Sequence, residues 1–149
     1  AQASAPIDQL LPGAELRGQA SFRFLGLPLY DARLFTPAGR ALDWRQDFGL
    51  ELTYRRSLSQ RDLVEATLQE FARLGDPLPL RRGLQSCYQA VVPGDRYLAV
   101  TQGADQISFW RNGRRVCGLT YPGIKSRFMS IFLGENSRSR RFTNRLLGQ

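Results

Sequence analysis

The chain of 149 residues contains no histidine. That absence excludes imidazole acid–base catalysis, His-containing triads and His-ligated metal sites. Cysteine is nearly as scarce. Cys87 and Cys117 are the whole complement, too few for a structural zinc site within one chain. They are either one disulfide, enclosing about 30 residues and stabilising by roughly 3 to 4 kcal/mol, or two independent buried thiols. No apolar run approaches the roughly 18 residues of a membrane span. Gly-rich phosphate loops, a nucleophile elbow and metal-ligand spacing are missing too, so neither a metal nor an organic cofactor is expected.

Lysine occurs once, at Lys125, so arginine supplies almost all of the positive charge in a formal net charge of +8. Such a charge attracts anionic lipid, nucleic acid or acidic proteins, or simply keeps the chain soluble. The basic run Ser137-Arg138-Ser139-Arg140-Arg141 lacks the interleaved aromatics of single-strand nucleic-acid binders, Phe142 apart, and reads as a solvated surface. A nucleic-acid partner is therefore not favoured. With 42% hydrophobic residues the chain has enough apolar surface for one ordinary core. Residues 1–12 read as a loosely ordered arm and 13–149 as a single domain. The small, polar start Ala1-Gln2-Ala3-Ser4 suits a mature N-terminus left after signal-peptide removal, which implies a periplasmic or otherwise secreted protein. Oligomeric state is left open.

Apolar and polar residues alternate over Arg17 to Phe24, resume over Leu29 to Phe35 after a break at Gly26 to Pro28, and alternate again over Phe48 to Arg55. The period then changes. Ser59 is an N-cap with Asp62 at N3, where Glu or Gln completes a capping box, and an apolar stripe runs to Leu74 before Gly75. A stiff connector over Asp76 to Pro79 leads to a second helix expected over Leu80 to Val92. Strands are expected over Arg96 to Gln102, Ile107 to Trp110 and Arg114 to Thr120. The last two flank Asn112-Gly113, a strong hairpin signal. Helices over Pro122 to Leu133 and Ser139 to Leu147 close the chain. The order predicts an α+β fold, an antiparallel sheet of six or seven strands with helices packed on one face.

Five features in this order resemble the chalcone isomerase family, in particular its small bacterial members. They are Tyr30-Asp31-Ala32-Arg33-Leu34-Phe35; Trp44 with the strand Phe48 to Tyr54; the turn Gly94-Asp95-Arg96; the aromatic strand Phe109 to Gly113; and the closing Leu146-Leu147-Gly148. The resemblance covers most of the chain from Gly13 onward. It implies an open-faced sandwich of antiparallel sheet and helices. In plant members it implies cofactor-free flavanone ring closure; in fatty-acid-binding members, an arginine that holds a carboxylate while the tail packs between sheet and helices.

Arg17 is the match to the family arginine. The other polar positions of the plant enzymes fall near Leu25, Leu63, Glu70 and Ile131. A site of Leu and Ile orients no water and stabilises no oxyanion, so no catalytic residue is assigned and isomerase chemistry is not expected. The expected function is non-catalytic binding of a small apolar or carboxylate ligand, or service to a partner protein. An altered enzyme and a basic surface-binding module are the alternatives. Candidate ligand contacts are Arg17, Tyr30, Tyr54 and Glu70. Arg17 is expected at the mouth of an apolar pocket, unless it pairs with Glu70 instead. Asp31 and Arg33, two apart on a strand, share a face and are expected in one polar network.

Overall fold

The computed structural model describes residues 5–75 and 77–149. Ala1 to Ser4 of the expected arm, and Asp76 of the expected connector, lie outside the described residues. Six strands form one sheet in the order of the sequence, every neighbour pair antiparallel: β1 (Ala14–Phe24), β2 (Leu27–Pro37), β3 (Gly49–Tyr54), β4 (Arg96–Thr101), β5 (Gln106–Arg111) and β6 (Arg114–Thr120). The helices are α1 (Ala5–Leu10), α2 (Gln60–Leu74), α3 (Arg81–Cys87), α4 (Ile124–Leu133) and α5 (Arg140–Leu146).

Because side chains alternate along a strand, the register assigns each face. Phe22 opposes Tyr30, Tyr30 opposes Tyr54, Leu52 opposes Tyr97, and Ala99 opposes Phe109. These residues form the face on which α2 to α5 pack, and there the main core lies, with Phe71, Leu84, Ile124, Met129 and Leu146 buried from the helices. Leu98 and Val100 point the other way. They join Phe35 and Ile7 of α1 in a second, smaller apolar cluster. Residues 5–10 of the segment read as a loose arm are thus a helix anchored by one buried isoleucine, 2% exposed.

The α2 N-terminus is a complete capping box with aspartate in the N3 role. The Asp62 N–H donates to Ser59 Oγ and the Ser59 N–H to Asp62 Oδ2, each at 3.0 Å. The next helix is shorter than the spacing of its apolar residues predicts. It ends at Cys87, Tyr88 is extended, and Val91 bridges to Leu58 through paired backbone hydrogen bonds. Cys87 and Cys117 form a disulfide with Cα atoms 5.1 Å apart, tying α3 to β6. At the other edge α5 lies against β1, and the contact needs Gly18. A Cβ there meets the Leu146 carbonyl and lies 2.5 Å from that of Arg145.

Candidate functional site

Between the β1–β3 end of the sheet and the helices α2, α4 and α5 lies a cavity of about 180 Å³. Its floor is aromatic because three distant segments converge. Phe22 stacks on Tyr30 with ring centroids 5.3 Å apart, and Phe142 of α5 meets both edge-on at 5.4 and 6.0 Å. Tyr54 and Phe132 close the floor against Tyr30 at 5.8 and 6.3 Å. Leu58, Leu63 and Ile131 line the walls. Behind Tyr54, Tyr88 and Phe132 lies a second void of about 20 Å³, wide enough for a water-sized sphere and lined by Leu50, Ala99 and Phe109 among others.

Polar groups around the cavity divide into those already satisfied and those that are not. Thr67 donates to the Leu63 carbonyl at 2.9 Å, so the Tyr88 hydroxyl is the donor in its 3.0 Å contact with Thr67. Burial pushes the Tyr88 hydroxyl up to about 12 despite that hydrogen bond. Asp62 is held in the capping box, whose backbone hydrogen bond from Ser59 pulls its carboxyl below the usual range. Glu70 is gripped in bidentate fashion by Arg73, one turn on, at 2.7 and 3.0 Å. Arg73 also donates to the Asn136 carbonyl at 2.9 Å.

Tyr30 and Tyr54 differ from these. Among the described residues neither hydroxyl has a hydrogen-bond partner, although Tyr54 is only 5% exposed. Burial pushes both well above the ordinary tyrosine range, so both remain protonated donors at neutral pH. At the rim, Arg138 carries its guanidinium over Phe22 and Phe24, 5.8 and 5.4 Å from the ring centres. No carboxylate pairs with Arg138 among the described residues.

Of the expected ligand contacts, Tyr30, Tyr54 and Glu70 come together here and Arg17 does not. Arg17 Nε donates to the Leu147 carbonyl at 3.0 Å and Nη1 to the Gly39 carbonyl at 3.3 Å. The guanidinium satisfies carbonyls left open at the α5 C-terminus and in the β2–β3 turn. It neither lines the cavity nor meets Glu70. Leu25, expected in the pocket, is at the tip of the β1–β2 hairpin and 87% exposed; Leu63 and Ile131 do line the cavity. Asp31 and Arg33 do not share a network. Asp31 accepts from Ser21 and Arg55, whereas Arg33 faces Glu51 at 3.8 Å. Thr143 of α5, just beyond the basic run, is buried and donates to the Phe132 carbonyl at 2.7 Å. Arg138 itself was hidden in a run that reads as solvated surface. Its only local signal is Ser139, which caps α5 and fixes the preceding loop beside β1.

Among the described residues no three acidic or cysteine side chains gather to hold a metal ion. No helix among them is long and apolar enough to cross a membrane. No protein-family model and no curated protein sequence matches the chain. Among solved structures it is similar to a fatty-acid binding protein of Arabidopsis thaliana, AtFAP1. The TM-score is 0.72, covering 92% of this chain and 88% of that one, at 10% sequence identity. The likeness is one of fold, the chalcone isomerase-like arrangement of an open antiparallel sheet and helices.

Proposed function

We propose that this protein is a non-catalytic, exported relative of the small bacterial chalcone isomerase-like proteins, and that it binds a small amphipathic acid in the cavity between sheet and helices. The observation that carries the reading is the contrast in polar satisfaction. Both rim carboxylates are engaged, Asp62 by Ser59 and Glu70 by Arg73, while the hydroxyls of Tyr30 and Tyr54 and the guanidinium of Arg138 have no acidic or hydrogen-bonded partner among the described residues. A hydroxyl that faces an apolar cavity with no protein acceptor is open to a ligand oxygen, and a few such polar groups fix a ligand's orientation. An acidic head near Arg138 with an apolar body over the aromatic floor fits both parts of the site.

Size narrows the class. An apolar cavity of about 150 Å³ accepts a benzene ring; this one is about 180 Å³. A single ring or a short acyl chain fits, and a longer chain extends through the mouth. AtFAP1 is a fatty-acid binding protein, which supports an acid with an apolar tail as the ligand class. Leu63 and Ile131 on the walls support the absence of ring-closing chemistry, since neither polarises a ketone. The Cys87–Cys117 disulfide supports an oxidising compartment.

Native mass spectrometry of protein purified from its own host tests the reading. A co-purifying acid of low mass, released on denaturation, is expected. Protein that emerges at the bare chain mass and takes up no aromatic or short-chain acid on titration contradicts it.

A further inference from the structure

The β1–β2 turn is built against its own stability. Leu25 has φ +54° and Gly26 φ +80°. Two-residue hairpins of this kind favour Asn or Gly at the first position, because a leucine in the left-handed region crowds its own backbone. Leu25 is also 87% exposed, Leu27 55% and Phe24 41%, so the turn presents three large apolar side chains to water. Neither strain nor exposure helps the fold, and their coincidence calls for a partner.

The surroundings of the turn identify the partner's chemistry. Antiparallel order puts the β1–β2 turn, the end of β3, the start of β4 and the β5–β6 turn at one end of the sheet. Val92, 56% exposed, is at that end too. So are Arg23, Arg56 and Arg114, and Arg138 stacks on Phe24; none of the four has a carboxylate partner among the described residues. The acids nearby are occupied: Asp31 by Ser21 and Arg55, Asp95 by Arg111 and Asn112.

We propose that this end of the sheet docks on an anionic lipid bilayer. Phe24, Leu25 and Leu27 enter the boundary between headgroups and acyl chains, and the arginines without a carboxylate partner meet lipid phosphates. Projecting apolar side chains with cations along the same end of the sheet are the composition of elements that lie in a membrane interface. A convex leucine tip offers nucleic acid nothing, and it fits a folded protein only where that protein supplies a matching cavity. Phe22 and Leu29, which flank the turn, line the cavity, so docking also brings this side of the cavity close to the bilayer. An amphipathic acid then moves between membrane and cavity without crossing bulk water. That consequence rests on the ligand-binding reading; the docking does not.

Co-sedimentation of the full chain with vesicles tests the docking. Phosphatidylglycerol mixed with phosphatidylcholine is compared with phosphatidylcholine alone, for the wild type and for L25N/L27S. Leu25→Asn replaces a strained leucine with a residue the turn prefers, so the variant should fold and melt at the wild-type temperature or above. The wild type should sediment with the mixed vesicles, and less with phosphatidylcholine alone or in raised salt. L25N/L27S should lose affinity by roughly tenfold or more while still binding a short-chain acid in vesicle-free solution. Lack of sedimentation by the wild type overturns the docking. So does a variant that sediments like the wild type, which would reduce the effect to net charge. A preference for RNA over vesicles, unaltered in the variant, overturns it as well. Loss of acid binding alone, with vesicle binding intact, counts against the cavity and leaves the docking supported.

Discussion

Arg17 shows how far a single guanidinium's role depends on what lies opposite it. Its partners are two backbone carbonyls, Leu147 and Gly39, which have no charge to neutralise but whose lone pairs need donors. Arg17→Gln is therefore expected to cost roughly 1.5 to 3 kcal/mol of stability, the range for hydrogen bonds that involve a charged group. Acid binding should be unchanged. Chemical denaturation with a parallel binding titration separates the two, and loss of binding at constant stability would return Arg17 to the ligand site. Glu51 gives a second residue-level expectation. Burial pushes its carboxyl above the ordinary range, against the opposing pull of Arg33 and Arg96. The folded chain thus holds that proton more tightly than the unfolded chain. Stability from this group is present below the unfolded pKa and lost as pH rises through the folded value. Glu51→Gln should melt above the wild type at neutral pH, with the gap closing as pH falls toward the ordinary glutamate value of about 4.3. Thermal melts across that range check the sign; a variant that melts lower at neutral pH shows that the Arg33 contact outweighs burial.

Among the elements, α3 is held to the sheet by the Cys87–Cys117 bond rather than by capping, since Leu80 offers its N-terminus no side-chain acceptor. The disulfide closes a loop with a sequence separation of 30. Reduction, or paired substitution by alanine, should lower unfolding free energy by roughly 3 to 4 kcal/mol, read from denaturation midpoints with and without reductant; equal midpoints would contradict the constraint. The sequence carries some elements plainly and others hardly at all. Ser59 with Asp62, and Asn112-Gly113, announce the start of α2 and the β5–β6 turn because the signal is local side-chain or backbone chemistry. Leu80 to Val92 misleads for a physical reason. Leu84, Cys87, Tyr88 and Val91 are all buried, but Val91 reaches the core from extended chain paired with Leu58, so burial at helical spacing arises without a helix. Among the described side chains of α1 only Ile7 is fully buried, with Leu10 half-buried beside the same cluster, too little to make a pattern. The cavity was half legible. Tyr30, Tyr54, Leu63 and Ile131 sit in recognisable strands and helices. Phe22, Phe142 and Arg138 join them only through strand register and the docking of α5 on Gly18, which no local signal encodes.

At the scale of the whole molecule, the open sheet carries two surfaces of different composition. One face and its helices enclose the apolar core and the cavity; the end with the β1–β2 turn gathers exposed leucines and arginines that have no carboxylate partner among the described residues, out of a net charge of +8. The proposed occupant of the cavity is an amphipathic acid with its head toward Arg138. The most direct test is displacement of a fluorescent short-chain acid from the wild type, Ala66→Trp and Arg138→Gln. Ala66 lines the cavity yet is exposed, so a tryptophan there covers the mouth without disturbing the core. Saturable one-to-one binding by the wild type is expected. Binding should be lost in Ala66→Trp, and weakened by about tenfold or more in Arg138→Gln through loss of a charge-assisted hydrogen bond. Binding of equal strength in all three proteins, or none in the wild type, would contradict that proposal.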